Sequence, residues 1–304
     1  MIKPGAADLA AGAPLRCGHV AIVGKPSVGK STLLNALVGA HIAITSRRPQ
    51  TTRHRLRGVL TTPGAQFVFV DTPGFQTRHR SRLNERMNRT VRDSVADVDA
   101  IVVVFEAKGL TEADREVLGL LPPAVPAIAA VNKVDRLGDR GRLLPLLASI
   151  AAAHDFAAIV PISAAKRWQL DELLGEVAAC LPPGPSLYPA DDLTDRDERF
   201  LAAEYVREKI FRQLGEELPY ATAVGIDHFT HDGALRRIGA TVLVEKAGQR
   251  AILLGKDGAR MKAIASAARR DMERLFGGKV FLEVRVRVSS GWAEDERTLN
   301  RLGY

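Results

Sequence analysis

The run Gly24-Lys25-Pro26-Ser27-Val28-Gly29-Lys30-Ser31 constrains this chain more than any other stretch. It fits the pattern G-x-x-x-x-G-K-S/T, with the apolar run HVAIV before it and STLLNALVG after it. The spacing has a physical basis. Glycines let successive backbone N–H groups turn inward around phosphate oxygens, Lys30 reaches the terminal phosphates, and Ser31 offers a hydroxyl to Mg²⁺. The helix that starts near Ser31 and Thr32 adds the positive end of its dipole. A strand, a phosphate loop and a helix in this order commit their surroundings to an α/β sheet.

Residues 18–181 carry that sheet forward. HVAIVG (19–24), QFVFVD (66–71), AIVVVFEA (100–107), AIAAVNK (127–133) and AIVPIS (158–163) are short, nearly continuous apolar runs between helix-like segments. Such runs predict parallel strands buried on both faces. LRGVLTTPGAQFVFVD differs, because two β-patterned runs flank Pro63-Gly64 and predict one antiparallel hairpin. LPPGPSLYP (181–189) excludes helix and central strand and reads as a semi-rigid linker. The expected organisation is a tail over 1–17, an α/β domain over 18–181, a linker over 182–198 and a second domain over 199–304. In the second domain, RFLAAEYVREKIFRQL predicts a helix, and ATAVGIDHF and GATVLVEK predict strands. AILLGKDGARMKAIASAARRDMERLFG predicts a strand, a glycine loop and a long helix. KVFLEVRVRV alternates with period two, as a half-buried strand does.

Three further motifs follow strands of the first domain. Asp71-Thr72-Pro73-Gly74 places a carboxylate where it can hold Mg²⁺ through water, and Gly74 where its N–H can meet the γ-phosphate. Asn132-Lys133-Val134-Asp135 supplies a carboxylate for the N1–H and N2 donors of guanine, a donor pair adenine lacks. Leaving such a pair unmet costs enough to select GTP over ATP. Ser163-Ala164 fits a loop whose backbone N–H contacts the guanine O6. Between the first two motifs lies TSRRPQTTRHRLR, in which Thr51 or Thr52 is expected to complete the Mg²⁺ shell. Its five arginines suit a solvated loop as well as they suit contact with RNA or a partner. Phe75 stands where a water-orienting glutamine would help hydrolysis, so slow turnover is predicted, driven by Mg²⁺ and Lys30; neighbouring Gln76 should point elsewhere.

Charge singles out the C-terminal block. Residues 246–304 hold 13 Lys/Arg against 7 Asp/Glu, whereas residues 186–245 hold 7 against 12. Within the basic block, Gly255-Lys256-Asp257-Gly258 is a G-x-x-G loop that can bring backbone close to single-stranded RNA. Arg260 and Lys262 are placed to meet phosphates, and Ala263, Ile264 and Ala267 to line an apolar groove for bases. No apolar run approaches the ~18 residues of a membrane span. Cys17 and Cys180 are far apart without metal-ligand spacing, which fits a reduced, cytosolic setting.

QTTRHR, DTPGF, NKVD, FLAAEYVREKI, ELPYA, GKDGARMKAI, ARRDMERLFG and GWAEDERTLNRLGY together resemble the Era family, bacterial GTPases of small-ribosomal-subunit assembly. The resemblance runs from about residue 18 to the end. It implies an α/β P-loop GTPase domain, mostly a parallel sheet with helices on both faces, followed by an α+β type II KH domain. It implies GTP/GDP and Mg²⁺ as ligands, binding to the 3′ region of 16S ribosomal RNA and the 30S subunit rather than DNA, and peripheral association with the inner membrane of a cytoplasmic protein. Related GTPases carry a Thr-Thr pair in the loop, which favours Thr52 as the metal ligand and, with Lys30 and Gly74, as a catalytic residue. GTP binding is expected to order residues 45–57 and 71–92.

Two residues depart from the family pattern. Ser27 replaces an Asn that in related families helps hold K⁺; its shorter side chain predicts weak or absent K⁺ stimulation. Asp257 puts a carboxylate in a loop meant to approach phosphates. Two other readings compete. An RNA-binding module with a vestigial nucleotide site conflicts with intact Lys30, Ser31, Asp71 and Asp135. A membrane-surface GTPase conflicts with VFLEVRVRV, which suits a sheet better than an interfacial helix.

Overall fold

The computed structural model describes residues 15–46, 48, 51–75, 82–215 and 218–302. The expected tail up to residue 14, Arg47, Pro49 and Gln50 of the arginine-rich loop, and Gln76 lie outside these residues. By its contacts the chain divides into two compact units. One comprises residues 1–43, 52–79 and 87–195; the other comprises 44–51, 80–86 and 196–304.

The first unit is built on a six-stranded sheet. Its strands are β1 (Arg16–Val23), β2 (Leu56–Thr61), β3 (Ala65–Asp71), β4 (Ala100–Glu106), β5 (Ala127–Asn132) and β6 (Ala158–Pro161), in the order β2-β3-β1-β4-β5-β6. β2 runs antiparallel to β3, so the Pro63-Gly64 hairpin is present, and the other pairs are parallel. Helices α1 (Lys30–Val38), α2 (Arg82–Ala96), α3 (Glu112–Leu118) and α4 (Leu143–Ala151) lie in the connections between them, and α5 (Leu170–Cys180) follows β6. Continuous apolar runs became central strands for the expected reason: β3 and β5 are buried along their whole length. The motifs following β1, β3, β5 and β6 all sit at the carboxyl ends of strands, where open α/β sheets bind their ligands.

The proline-rich run is pinned to this sheet. Pro182 O accepts from Cys17 N (3.0 Å), and Leu193 O from Val59 N (2.9 Å). The Thr194 hydroxyl donates to Arg57 O (2.6 Å), and Asp195 accepts from Arg57 N (3.2 Å). Gln66, fully buried in β3, is the anchor. Its Oε1 accepts from Leu187 N (2.7 Å) and Tyr188 N (3.0 Å), and its Nε2 donates to Tyr188 O (2.8 Å).

The second unit has the order α6 (Glu198–Gln213), β7 (Thr222–Asp232), β8 (Leu235–Val244), α7 (Ala247–Leu254), α8 (Ala259–Phe276), β9 (Lys279–Val288) and α9 (Glu296–Arg301). β7 and β8 are antiparallel, and β8 and β9 are parallel, joined through the helical crossover that a parallel pair needs. Asp197 caps α6 by accepting from Phe200 N (2.8 Å). Leu201, Tyr205, Val206 and Ile210 of α6 meet Ile238, Ala240 and Val242 of β8 and Ile264, Ala268 and Met272 of α8 in one core. Trp292 and Leu299 cover Ala223 and Leu243 in a second cluster, and Trp292 Nε1 donates to Ala221 O (3.2 Å).

One expected element is wrong. AILL, read as a strand, is the end of helix α7. Gln249 starts that helix, its Oε1 accepting from Glu245 N (2.9 Å) and Lys246 N (3.0 Å). Four apolar residues cannot separate a strand from the buried side of a helix. The start signal, a Gln three residues after the cap position, was present in the sequence.

Candidate functional site

The phosphate loop spans Gly24 to Ser31 between β1 and α1. Its backbone takes left-handed values at Ser27 (φ 65°) and Gly29 (φ 107°), which turns successive N–H groups to one side. Lys30 is 6% exposed, and its ammonium donates to Gly24 O (2.9 Å) and Lys25 O (3.0 Å). Burial lowers its pKa to about 8, against the opposing pull of Asp71. Pro26 faces the Asp71–Gly74 motif: a Cβ on Gly74 would fall 2.8 Å from Pro26 Cα, so only glycine lets that backbone approach the loop.

Three oxygens converge beside Lys30. The Ser31 hydroxyl donates to Asp71 Oδ2 (2.7 Å) and lies 2.7 Å from the Thr52 hydroxyl, which is 3.5 Å from the same carboxylate oxygen. Asp71 is fully buried, and among the described residues its Oδ1 has no hydrogen-bond partner. Burial raises its pKa to about 6, although Ser31, Lys30 and Thr52 all favour the charged form. Two hydroxyls and an unsatisfied buried carboxylate suit a hard cation such as Mg²⁺, which takes oxygen ligands. Thr51 instead bonds the Arg48 carbonyl (2.9 Å) and lies 2.5 Å from the Ser46 hydroxyl. The structure thus brings Thr52, not Thr51, to Asp71. Thr72 is buried with its hydroxyl on Ile22 O (2.9 Å), a structural bond. Phe75 is buried in the core with Val91 and Val95, so it cannot orient a water.

The guanine motifs are joined to the loop. Asn132 Nδ2 donates to Val28 O (2.9 Å), and its Oδ1 accepts from Lys133 N (2.8 Å) and Ala164 N (3.0 Å). Lys133 reaches Ser27 O (2.7 Å) and Glu106 (3.4 Å). Burial acts to raise the Glu106 pKa, but Lys108 and Lys133 outweigh it and hold the group below the ordinary range. The Ser163 hydroxyl donates to Asp135 Oδ1 (2.6 Å), and the Asp135 side chain is exposed. Glu106, unremarked in the sequence, belongs to this network; its position at the end of β4 was the available signal.

In the second unit the G-x-x-G loop joins two helices, not a strand and a helix. Gly255 has φ 72° and ψ −177°, a region only glycine visits freely, and a Cβ there would meet Arg260 Cβ at 2.8 Å. Asp257 (φ 49°) and Gly258 (φ 74°) are left-handed. Lys256 and Asp257 are exposed. Beside the loop runs a groove lined by Leu254, Met261, Lys262, Ser266, Arg269 and Leu282. The apolar expectation needs correction here: Ile264 is fully buried in the core, and Met261 and Ala265 take the groove-facing role given to Ala263, Ile264 and Ala267. The core stripe of α8 follows Met261, Ile264, Ala268 and Met272, so the groove lies on its flank. Arg260 also differs from expectation, because its guanidinium donates to Ile252 O (2.6 Å) and closes the end of α7.

Comparison with known proteins agrees with both halves. The family described as 50S ribosome-binding GTPase matches residues 19–133, and the KH domain family matches residues 217–293. GTPase Era of Nitrosomonas eutropha is 52% identical over 289 residues, covering 95% of this chain and 98% of the relative. GTPase Era of Stenotrophomonas maltophilia is 52% identical over 292 residues, covering 96% and 98%. Among solved structures, a single-substitution variant of Aquifex aeolicus Era bound to GDP·AlF4⁻ superposes with a TM-score of 0.91 at 37% identity, covering 95% of this chain and 99% of that one. Era in complex with MgGDPNP and nucleotides 1506–1542 of 16S ribosomal RNA gives 0.92 at the same identity and coverage.

Proposed function

The chain belongs to the Era family of GTPases, and from that premise we propose that it is a GTP-timed switch that binds the 3′ region of 16S ribosomal RNA and assists assembly of the 30S subunit. The observation that carries the reading is the presence, in one chain, of the Ser31–Thr52–Asp71 oxygen cluster beside buried Lys30 and of a G-x-x-G loop bordering a basic-edged groove. In this reading residues 24–32, 71–74, 132–135 and 163–164 hold GTP. Ser31, Thr52 and Asp71 hold Mg²⁺, which when bound offsets charge on the β- and γ-phosphates. Lys30 and the Gly74 N–H stabilise the charge that develops as water attacks in line, and Thr52 holds its hydroxyl at the metal side. Gly255, Lys256, Asp257, Gly258 and Lys262 approach the RNA backbone; Arg260 acts through the end of α7. Residues 45–57 and 71–92 order around the γ-phosphate.

The protein works in the cytoplasm in this reading, and its basic surface meets anionic inner-membrane lipid peripherally. Among the described residues no helix is long and apolar enough to cross a membrane. One comparison tests the whole: binding to a single-stranded 16S 3′-end oligomer and to anionic vesicles, with GTP or GDP, across salt. Sequence-dependent RNA affinity together with GTP turnover is expected. Vesicle binding stronger than RNA binding, or RNA binding without turnover, would overturn it.

A further inference from the structure

Lys25 is the one lysine of the phosphate loop whose amine does not turn toward the loop's own carbonyls. It donates to Asp114 Oδ2 (2.7 Å) and the Thr111 hydroxyl (3.0 Å) at the start of α3. Asp114 is 2% exposed, and the same oxygen accepts from Thr111 N (2.9 Å) and the Thr111 hydroxyl (2.7 Å). Neither Thr111 nor Asp114 belongs to any nucleotide motif.

The main chain of Lys25 extends the connection. Lys25 O accepts from the Lys30 ammonium, so Asp114 holds Lys25, and Lys25 holds the cation that must reach the phosphates. The loop beyond it takes left-handed backbone at Ser27 and Gly29, which persists only where surrounding contacts over-determine it. Three side chains supply those contacts. Asn132 and Lys133 hold Val28 O and Ser27 O, and Asp114 holds the opposite end through Lys25. The chain from β4 to α3 therefore grips two of the nucleotide motifs, the one at 132–135 by Glu106 through Lys133 and the phosphate loop by Asp114 through Lys25.

We propose that Asp114 is a positioning residue for GTP: by tethering the Lys25 ammonium to the start of α3 it fixes the phosphate loop and the anchorage of Lys30. The proposal rests on reading residues 24–32 as the nucleotide site.

The test is GDP dissociation and GTP affinity in the full chain, unmodified and as Asp114→Asn, Lys25→Met, the double variant and Lys25→Arg. Each single variant except Lys25→Arg should release GDP roughly tenfold faster, as loss of a charge-assisted hydrogen bond implies. The double variant should be no worse than either single one, because both remove the same contact. Lys25→Arg keeps the charge and a donor for Asp114, so it should release GDP more slowly than Lys25→Met. Lys25→Met leaves the Asp114–Thr111 cap intact and decides the matter should Asp114→Asn fold poorly. Unchanged GDP release in Lys25→Met, or effects that multiply in the double variant, would overturn the tether. Failure of the unmodified chain to bind GDP would instead overturn the nucleotide site itself.

Discussion

Three residues carry predictions of their own. Asp71 titrates near 6 because it is buried, so at pH 7 it is ionised at a cost. The stability tied to its proton is full below the ordinary 3.8 and is lost as pH rises through about 6. Asp71→Asn should therefore stabilise the nucleotide-free chain at pH 7 by up to ~3 kcal/mol, an advantage that shrinks as pH falls from 6 toward 4, while Mg²⁺-dependent GTP affinity drops. Thermal scans and Mg²⁺ titrations across pH check both; a midpoint gap that ignores pH would refute the assignment. In the unmodified chain Mg²⁺ affinity should weaken below about pH 6, where a proton competes for the carboxylate. Asp257 is explained by backbone conformation: its left-handed φ of 49° is tolerated best by Gly, Asn and Asp. Asp257→Asn keeps that conformation and removes a charge that the proposed RNA contact would bring to phosphates, so RNA affinity should rise several-fold at low salt and converge with the unmodified chain at high salt. A filter-binding salt series would show it. Ser27 is exposed and also left-handed (φ 65°). Ser27→Asn should ease the backbone by a few tenths of a kcal/mol and bring stronger K⁺ stimulation than the unmodified chain shows. Turnover in KCl against NaCl measures this, and a strong K⁺ preference before substitution would sink the idea.

At the scale of elements, the two surprises have one origin. A short apolar run states that a segment is buried without stating which element buries it, and so AILL suits a strand by its sequence although it ends α7. The glycine loop thus gains a helix on each side, and Arg260 is drawn to the end of α7. The proline-rich run, legible as a stiff connector, gave no sign of being strapped to β2 and β3. The signal lay elsewhere, in Gln66, a polar side chain at the start of β3, whose next four residues are apolar. Gln66→Leu would leave Leu187 N and Tyr188 N without their acceptor. It should cost about 2–3 kcal/mol and expose residues 182–195 to protease, read by thermal melting and limited proteolysis. Unchanged cleavage would show that the strap is held by its other contacts alone.

For the whole molecule, charge and chemistry are segregated along the chain, and the two activities should be separable. Gly255→Asp with Gly258→Asp puts two carboxylates and a forbidden backbone geometry into the G-x-x-G loop. That double variant should lose RNA binding while the isolated GTP turnover stays within about twofold, since no nucleotide motif lies in residues 196–304. RNA affinity should fall steeply with salt and turnover should not; parallel titrations of the two check this. The sequence by itself determined which chemistry each half holds. Phosphate, guanine and G-x-x-G motifs are local, because backbone conformation and residue type at fixed spacing suffice to define them. It also determined most of the sheet, because continuous apolar runs between helices have few other ways to hide. Only the tertiary structure decided which threonine meets Asp71, which face of α8 borders the groove, and that Asp114 grips Lys25. Those contacts join residues distant in sequence, and burial, which sets their strength and their pKa values, exists only once the chain has folded around them.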